Sequence, residues 1–162
     1  MSATIDAVLA REAADTLEKL AFIFAFAEEA PEEAPPPGVT ARVVFRGPFT
    51  GTLVLSIDPA ALPELAANML GIDEGEPIED AQQHDALKET LNIVCGNVLP
   101  AIAGHRAVFD LAPPEIGDPA AAPSGRLAGS AVLSLDEGMV QLWLYVDGDP
   151  AQVLPPEHRG GP

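Results

Sequence analysis

An α/β (α+β) sandwich, with helices packed on one largely antiparallel sheet, is the fold this sequence predicts, and three observations lead there. Hydrophobic patterning runs in the order helix, two strands, two helices, three strands. Short turns, Gly47-Pro-Phe-Thr-Gly51 and Asp136-Glu137-Gly138, join neighbouring strands and so favour antiparallel pairs. The last strand is apolar on both faces: Val140, Leu142, Leu144 and Val146 share one, Trp143 and Tyr145 the other. Such a strand needs a helix on one side and a further layer or a subunit on the other. At 162 residues the chain suits one domain with a sizeable core. Residues 1–148 are expected to form that domain, and the Pro- and Gly-rich tail over 149–162 to be disordered.

Residues 4 to 28 read as the first helix, with Ser2 or Thr4 as N-cap. Its second half, with Leu17, Leu20, Phe22, Ile23, Phe24 and Phe26, is apolar nearly all round. That pattern predicts burial in the core or at a subunit interface, and it leaves room for a homodimer. An acidic, Pro-rich loop over 28–38 follows. From Val39 to Arg46 the pattern alternates, with Val39, Ala41, Val43 and Phe45 facing one way and Arg42 and Arg46 the other. Thr52 to Ile57 is the second strand. Asp58-Pro59 offers an N-cap and first turn for a short helix ending at Gly71. After a Glu-rich loop, Asp80 caps a long helix with Gln83 as a capping-box partner, and Pro100 kinks or ends it. Ala107 to Leu111 is a short strand and 113–125 a Pro/Ala/Gly loop. Leu127–Leu135 and Met139–Val146 form the final hairpin.

Composition excludes several function classes. The net charge of −17 argues against nucleic acid or an anionic membrane as partner. Two acidic runs, one holding Glu28, Glu29, Glu32 and Glu33 and one spanning Asp73 to Asp80, read as solvated loops. A single cysteine, Cys95, allows no internal disulfide and flanks an apolar stripe, as a buried structural thiol does. The opening Met-Ser-Ala-Thr-Ile-Asp has no basic, apolar leader character, and no run of about 20 apolar residues exists. A cytoplasmic protein is expected. His84, His105 and His158 lack metal-like spacing, so no metal site and no cofactor of its own is expected.

The chemistry-bearing residues fall on the long helix. With Asp85 set at zero and roughly 100° per residue, Glu89 lies near about 40°, Asn92 near about 340° and Gly96 near about 20°. Leu87, Leu91, Val94, Val98 and Ile102 lie between roughly 180° and 260°, on the opposite side. One face therefore packs, while the other presents an acid and an amide beside a glycine to something flat.

The spacing Asp85-x3-Glu89-x2-Asn92, with Pro114 22 residues further on, resembles the signature of the CheC/CheX/FliY chemotaxis phosphatases. Gly51-Thr-Leu-Val-Leu-Ser-Ile-Asp58 and Leu62-Pro-Glu-Leu-Ala-Ala-Asn-Met-Leu-Gly71 resemble the strand and helix before the active helix of the CheX branch. Glu89-Thr-Leu-Asn-Ile-Val-Cys-Gly-Asn97 is close to that branch's core motif. The resemblance spans about residues 40 to 147 and is specific over 85 to 104. It implies a CheX/CheC-like sandwich and a hydrolase that removes phosphate from the aspartate of a phosphorylated, CheY-like response regulator in two-component signalling. It further implies that Asn92 orients the attacking water and Glu89 contacts the regulator's lysine. Asp85 and Gly96 are supporting positions, Pro114 shapes a strand end, and Mg²⁺ belongs to the regulator. The CheC branch carries a second motif copy on its first helix. Here that place holds Val8, Glu12 and Asp15, and an aspartate in place of asparagine would bring like charge to the phosphoryl group. One active site is therefore expected, as in the CheX branch, which is commonly dimeric. The alternative is a non-catalytic adaptor that binds a response regulator or sits in a flagellar switch.

Overall fold

The computed structural model describes residues 4–29, 38–73, 75–117, 123 and 125–149. Helix α1 (Ile5–Ala21) starts at Thr4, whose hydroxyl accepts from the Ala7 amide at 3.1 Å. Its apolar residues Ile5, Val8, Leu9, Ala13 and Leu17 recur at helical spacing and are buried together. The helix ends seven residues before the expected boundary. Phe22 turns left-handed (φ 55°), its amide closes back on Glu18, and the Asn68 amide donates to the Ala21 carbonyl at 2.7 Å. Beyond that stop, the run Phe22-Ile23-Phe24-Ala25-Phe26 is spaced for a strand: Ile23 is buried while its phenylalanine neighbours are not. Strand β1 (Phe26–Glu28) follows.

Strands β2 (Val39–Arg46) and β3 (Gly51–Ile57) pair antiparallel in continuous register from Val39↔Ile57 to Phe45↔Gly51. As expected, Ala41, Val43 and Phe45 are fully buried, whereas Arg42 is half-buried and Arg46 exposed. Asp58 caps a turn through the Ala60 amide at 2.9 Å, and helix α2 (Leu62–Leu70) begins only after it, ending at left-handed Gly71. Helix α3 (Asp80–Ala103) comes next. The strand expected over 107–111 shrinks to β4 (Asp110–Leu111), and the expected loop over 113–125 contains β5 (Glu115–Gly117). Both add to the far side of β2. The hairpin β6 (Arg126–Leu135) and β7 (Gly138–Val146) turns through Asp136-Glu137.

The strands form one mixed-length antiparallel sheet in the order β1-β6-β7-β3-β2-β4, with β5 also on β2. Helix α1 lies against β6, α3 lies against β2 and β3, and α2 packs on both helices. The core fills the space between these layers, with Leu53, Leu55, Ile57, Val140, Leu142 and Leu144 from the sheet meeting Leu87, Leu91, Val94 and Val98 from α3. On the other face of β7, Gln141, Trp143 and Tyr145 are half-buried. Residues 30–37 of the acidic loop and 150–162 of the tail lie outside the described residues.

Candidate functional site

Helix α3 is held from both ends and from beneath. Its N-cap is Glu79 rather than Asp80: Glu79 is extended (ψ 153°) and forms a capping box with Gln82, which accepts from the Glu79 amide at 2.9 Å. Gln83, the expected box partner, instead donates to the Ile78 carbonyl at 3.2 Å. Pro100 does not end the helix, which continues to Ala103. Underneath, the buried face comprises Leu87, Leu91, Val94, Val98 and Ile102, together with Ala86, Thr90, Cys95 and Leu99. Thr90 is buried, and its hydroxyl lies 2.8 Å from the Ala86 carbonyl and 3.3 Å from the Met69 sulfur, fixing α3 against α2. Burial pushes the Cys95 thiol up to about 12, so it stays protonated and unreactive at neutral pH.

Because the underside is locked, the upper face is placed rigidly. Asp85, Glu89, Asn92 and Gly96 are all exposed there, on successive turns. Among the described residues, neither Glu89 nor Asn92 makes a side-chain hydrogen bond or ion pair, so both present their full bonding capacity outward. Asp85 differs. Its carboxylate pairs with Lys88 at 3.4 Å on its own helix, a surface ion pair of small stabilising value that orients both side chains. Lys88, at roughly 300° on the wheel, flanks Asn92 one turn away and puts a cation at the edge of this face. Sequence reasoning passed over it, although its i,i+3 spacing from Asp85 was the available signal. Pro114 is not on this face; it stands half-buried immediately before β5, whose pairing with β2 it leads into.

None of these residues lines the groove of about 570 Å³ between α2, the loop after it and the β6–β7 turn, whose walls include Pro63, Ile72, Ile78, Glu64 and Glu137. Among the described residues no three His, Cys, Asp or Glu side chains converge as metal ligands. On the first helix Val8 is buried, Glu12 pairs with Arg11 at 3.3 Å and Asp15 is exposed.

Comparison with known proteins bears on the fold and the family. A CheX from Desulfovibrio desulfuricans has the same fold, with 17% identity and a TM-score of 0.71 over 88% of this chain and 99% of that one. The CheX of Borrelia burgdorferi, solved as a complex with CheY, beryllium fluoride and magnesium, matches at 18% identity and a TM-score of 0.67, covering 87% and 96%. The middle domain of FliM from Vibrio alginolyticus is also similar in fold, at 16% identity and a TM-score of 0.52, covering 86% and 89%. No curated protein matches in sequence. The family model described as chemotaxis phosphatase CheX matches residues 39–122, a stretch that runs from β2 through all of α3. With the matched stretch exceeding half of its length, this chain belongs to the CheX family of chemotaxis phosphatases.

Proposed function

We propose that this protein hydrolyses the phospho-aspartate of a CheY-like response regulator, using Asn92 to position water and Glu89 to dock the substrate. The observation that carries the reading is the pair of unpartnered, exposed polar side chains one turn apart on a helix clamped from below. Acyl-phosphate hydrolysis needs little covalent chemistry; its barrier falls when water is held in line with phosphorus and developing charge meets fixed cations. The Asn92 carbonyl accepts a hydrogen bond from the water without being protonated itself. The water oxygen then bonds to phosphorus as the P–O bond to the aspartate breaks. The aspartate leaves as a carboxylate, and the water's protons pass to phosphate and solvent. Glu89 would repel a phosphoryl group directly, so its role is to pair with a lysine of the regulator and fix the register of docking. The cations around the phosphoryl group, Mg²⁺ included, belong to the regulator. The Borrelia relative was solved as a complex with CheY, beryllium fluoride and magnesium, which supports a CheY-like partner. The setting is a cytoplasmic two-component pathway, and among the described residues no helix is long and apolar enough to cross a membrane.

A second reading is an adaptor that docks a regulator without turnover, since a shared fold does not by itself fix an activity. Decay of a phosphorylated, Mg²⁺-bound regulator, followed with the wild type and with Asn92→Ala, separates the two. The enzyme reading expects acceleration by the wild type and a loss of at least about a hundredfold in the variant, with binding intact. A complex that forms without changing the decay leaves only the adaptor.

A further inference from the structure

Gly96 occupies a position where this protein has no internal use for a glycine. It lies well inside the 24-residue helix α3, where glycine is less favourable than alanine because of its backbone freedom. Its φ is not in the left-handed region that would require glycine. A Cβ built there meets nothing within 4 Å beyond its chain neighbours and its own helical backbone, so no packing neighbour demands the missing side chain either. Asn92 lies one turn before it on the same exposed face. Side chains on a helix lean toward its N-terminus, so a side chain at 96 would extend over the turn next to Asn92. Four residues on stands Pro100, which has no N–H, so the Gly96 carbonyl lacks the i+4 amide that normally occupies it. A gap in the side-chain layer and an acceptor without its usual donor coincide on the face that carries Glu89 and Asn92.

We infer that Gly96 is the close-approach point of the docking surface: the regulator's backbone lies directly on α3 there and donates a hydrogen bond to the Gly96 carbonyl, which brings the phosphoryl group within reach of Asn92. The inference rests on the function proposed above, in that it names a further contact of the same partner. It makes Gly96 a positioning residue, acting through the depth of docking and not on the reacting atoms.

The test compares wild type, Gly96→Ala, Pro100→Ala and Asn92→Ala by thermal unfolding, by titration with a regulator loaded with Mg²⁺ and beryllium fluoride, and by phosphoryl decay. A structural glycine would be destabilised by a methyl group. A close-approach glycine gives the opposite: Gly96→Ala raises the unfolding midpoint by about 2–4 °C, yet weakens regulator binding by about tenfold or more. Pro100→Ala returns an amide to the Gly96 carbonyl and is expected to weaken binding about two- to tenfold. Asn92→Ala, by contrast, loses turnover and keeps affinity. Unchanged affinity in Gly96→Ala, or a lowered midpoint, overturns the inference while leaving the phosphatase intact. Unchanged affinity in Pro100→Ala removes the carbonyl contact. If the wild type binds without turnover, the enzyme reading fails, and loss of binding in Gly96→Ala still upholds the close approach. If the wild type binds no regulator, both fall together.

Discussion

Glu89 and Asn92 are exposed and make no side-chain bond among the described residues, so substitutions there test function with little cost to stability. Glu89→Gln keeps the shape of the side chain and removes its charge. If it pairs with a regulator lysine, affinity falls about tenfold, the scale of a charge-assisted hydrogen bond, while the unfolding midpoint stays put. Calorimetric titration of both proteins checks this, and equal affinities would exclude the lysine contact. Cys95 gives a residue-scale prediction of a different kind. Its thiol has a pKa pushed from 9.0 up to about 12 by burial. Above pH 9 the unfolded chain therefore sheds a proton that the folded chain keeps, and stability falls as pH rises through that window. Between pH 9 and 10 the thiol alone removes about 1 kcal/mol, so Cys95→Ala should show a shallower decline over that interval in denaturant titrations. That Asp85, Glu89, Asn92 and Gly96 share one exposed face was legible from spacing alone, because helical geometry converts sequence offsets directly into a shared face. The shift of the cap from Asp80 to Glu79 was not, since it depends on which of several adjacent side chains wins a local bond.

At the scale of elements, sequence and structure part most clearly at the end of α1. Leu17, Leu20, Phe22, Ile23, Phe24 and Phe26 read as helix because a dense apolar run satisfies both periods at once. The structure keeps Leu17 and Leu20 in the helix, ends it at Ala21 and starts β1 only at Phe26, and the phenylalanines are exposed, by 79% at Phe22, 62% at Phe24 and 66% at Phe26. What decides the boundary is nonlocal: the Asn68 side chain, 47 positions away, satisfies the Ala21 carbonyl, and β1 finds its partner in β6. The same holds at β5, whose three residues form a strand only because β2 offers them an edge. Phe22 bears the cost of the early stop, as a bulky residue with φ of 55°. Phe22→Gly removes that strain and little burial. It should raise the unfolding midpoint by about 2–4 °C, and a fall in the midpoint would mean that the aromatic ring stabilises the turn more than its backbone strains it.

For the molecule as a whole, the order of strands separates two surfaces. Helix α3 lies over β2 and β3, whereas β1 closes the opposite end of the sheet, with β6 and β7 between. The exposed phenylalanines at that end are therefore a surface of their own and not an extension of the docking face. Strand β1 is three residues long and exposed throughout, and nothing described pairs with its outer side. Open edges of this kind are usually blunted by charge or covered. Glu28 supplies some charge but is engaged with the Ser134 hydroxyl at 2.8 Å. Two copies related by a twofold axis would bury Phe24 and Phe26 against each other and leave both α3 faces free, giving a dimer with two independent sites. Phe24→Glu combined with Phe26→Glu should then sediment as a monomer where the wild type sediments as a dimer, and each should retain the same turnover per chain. A wild type that is monomeric throughout the micromolar range would rule out this dimer. A double variant that loses turnover along with association would show that the two ends of the sheet are coupled, contrary to the separation argued from the strand order.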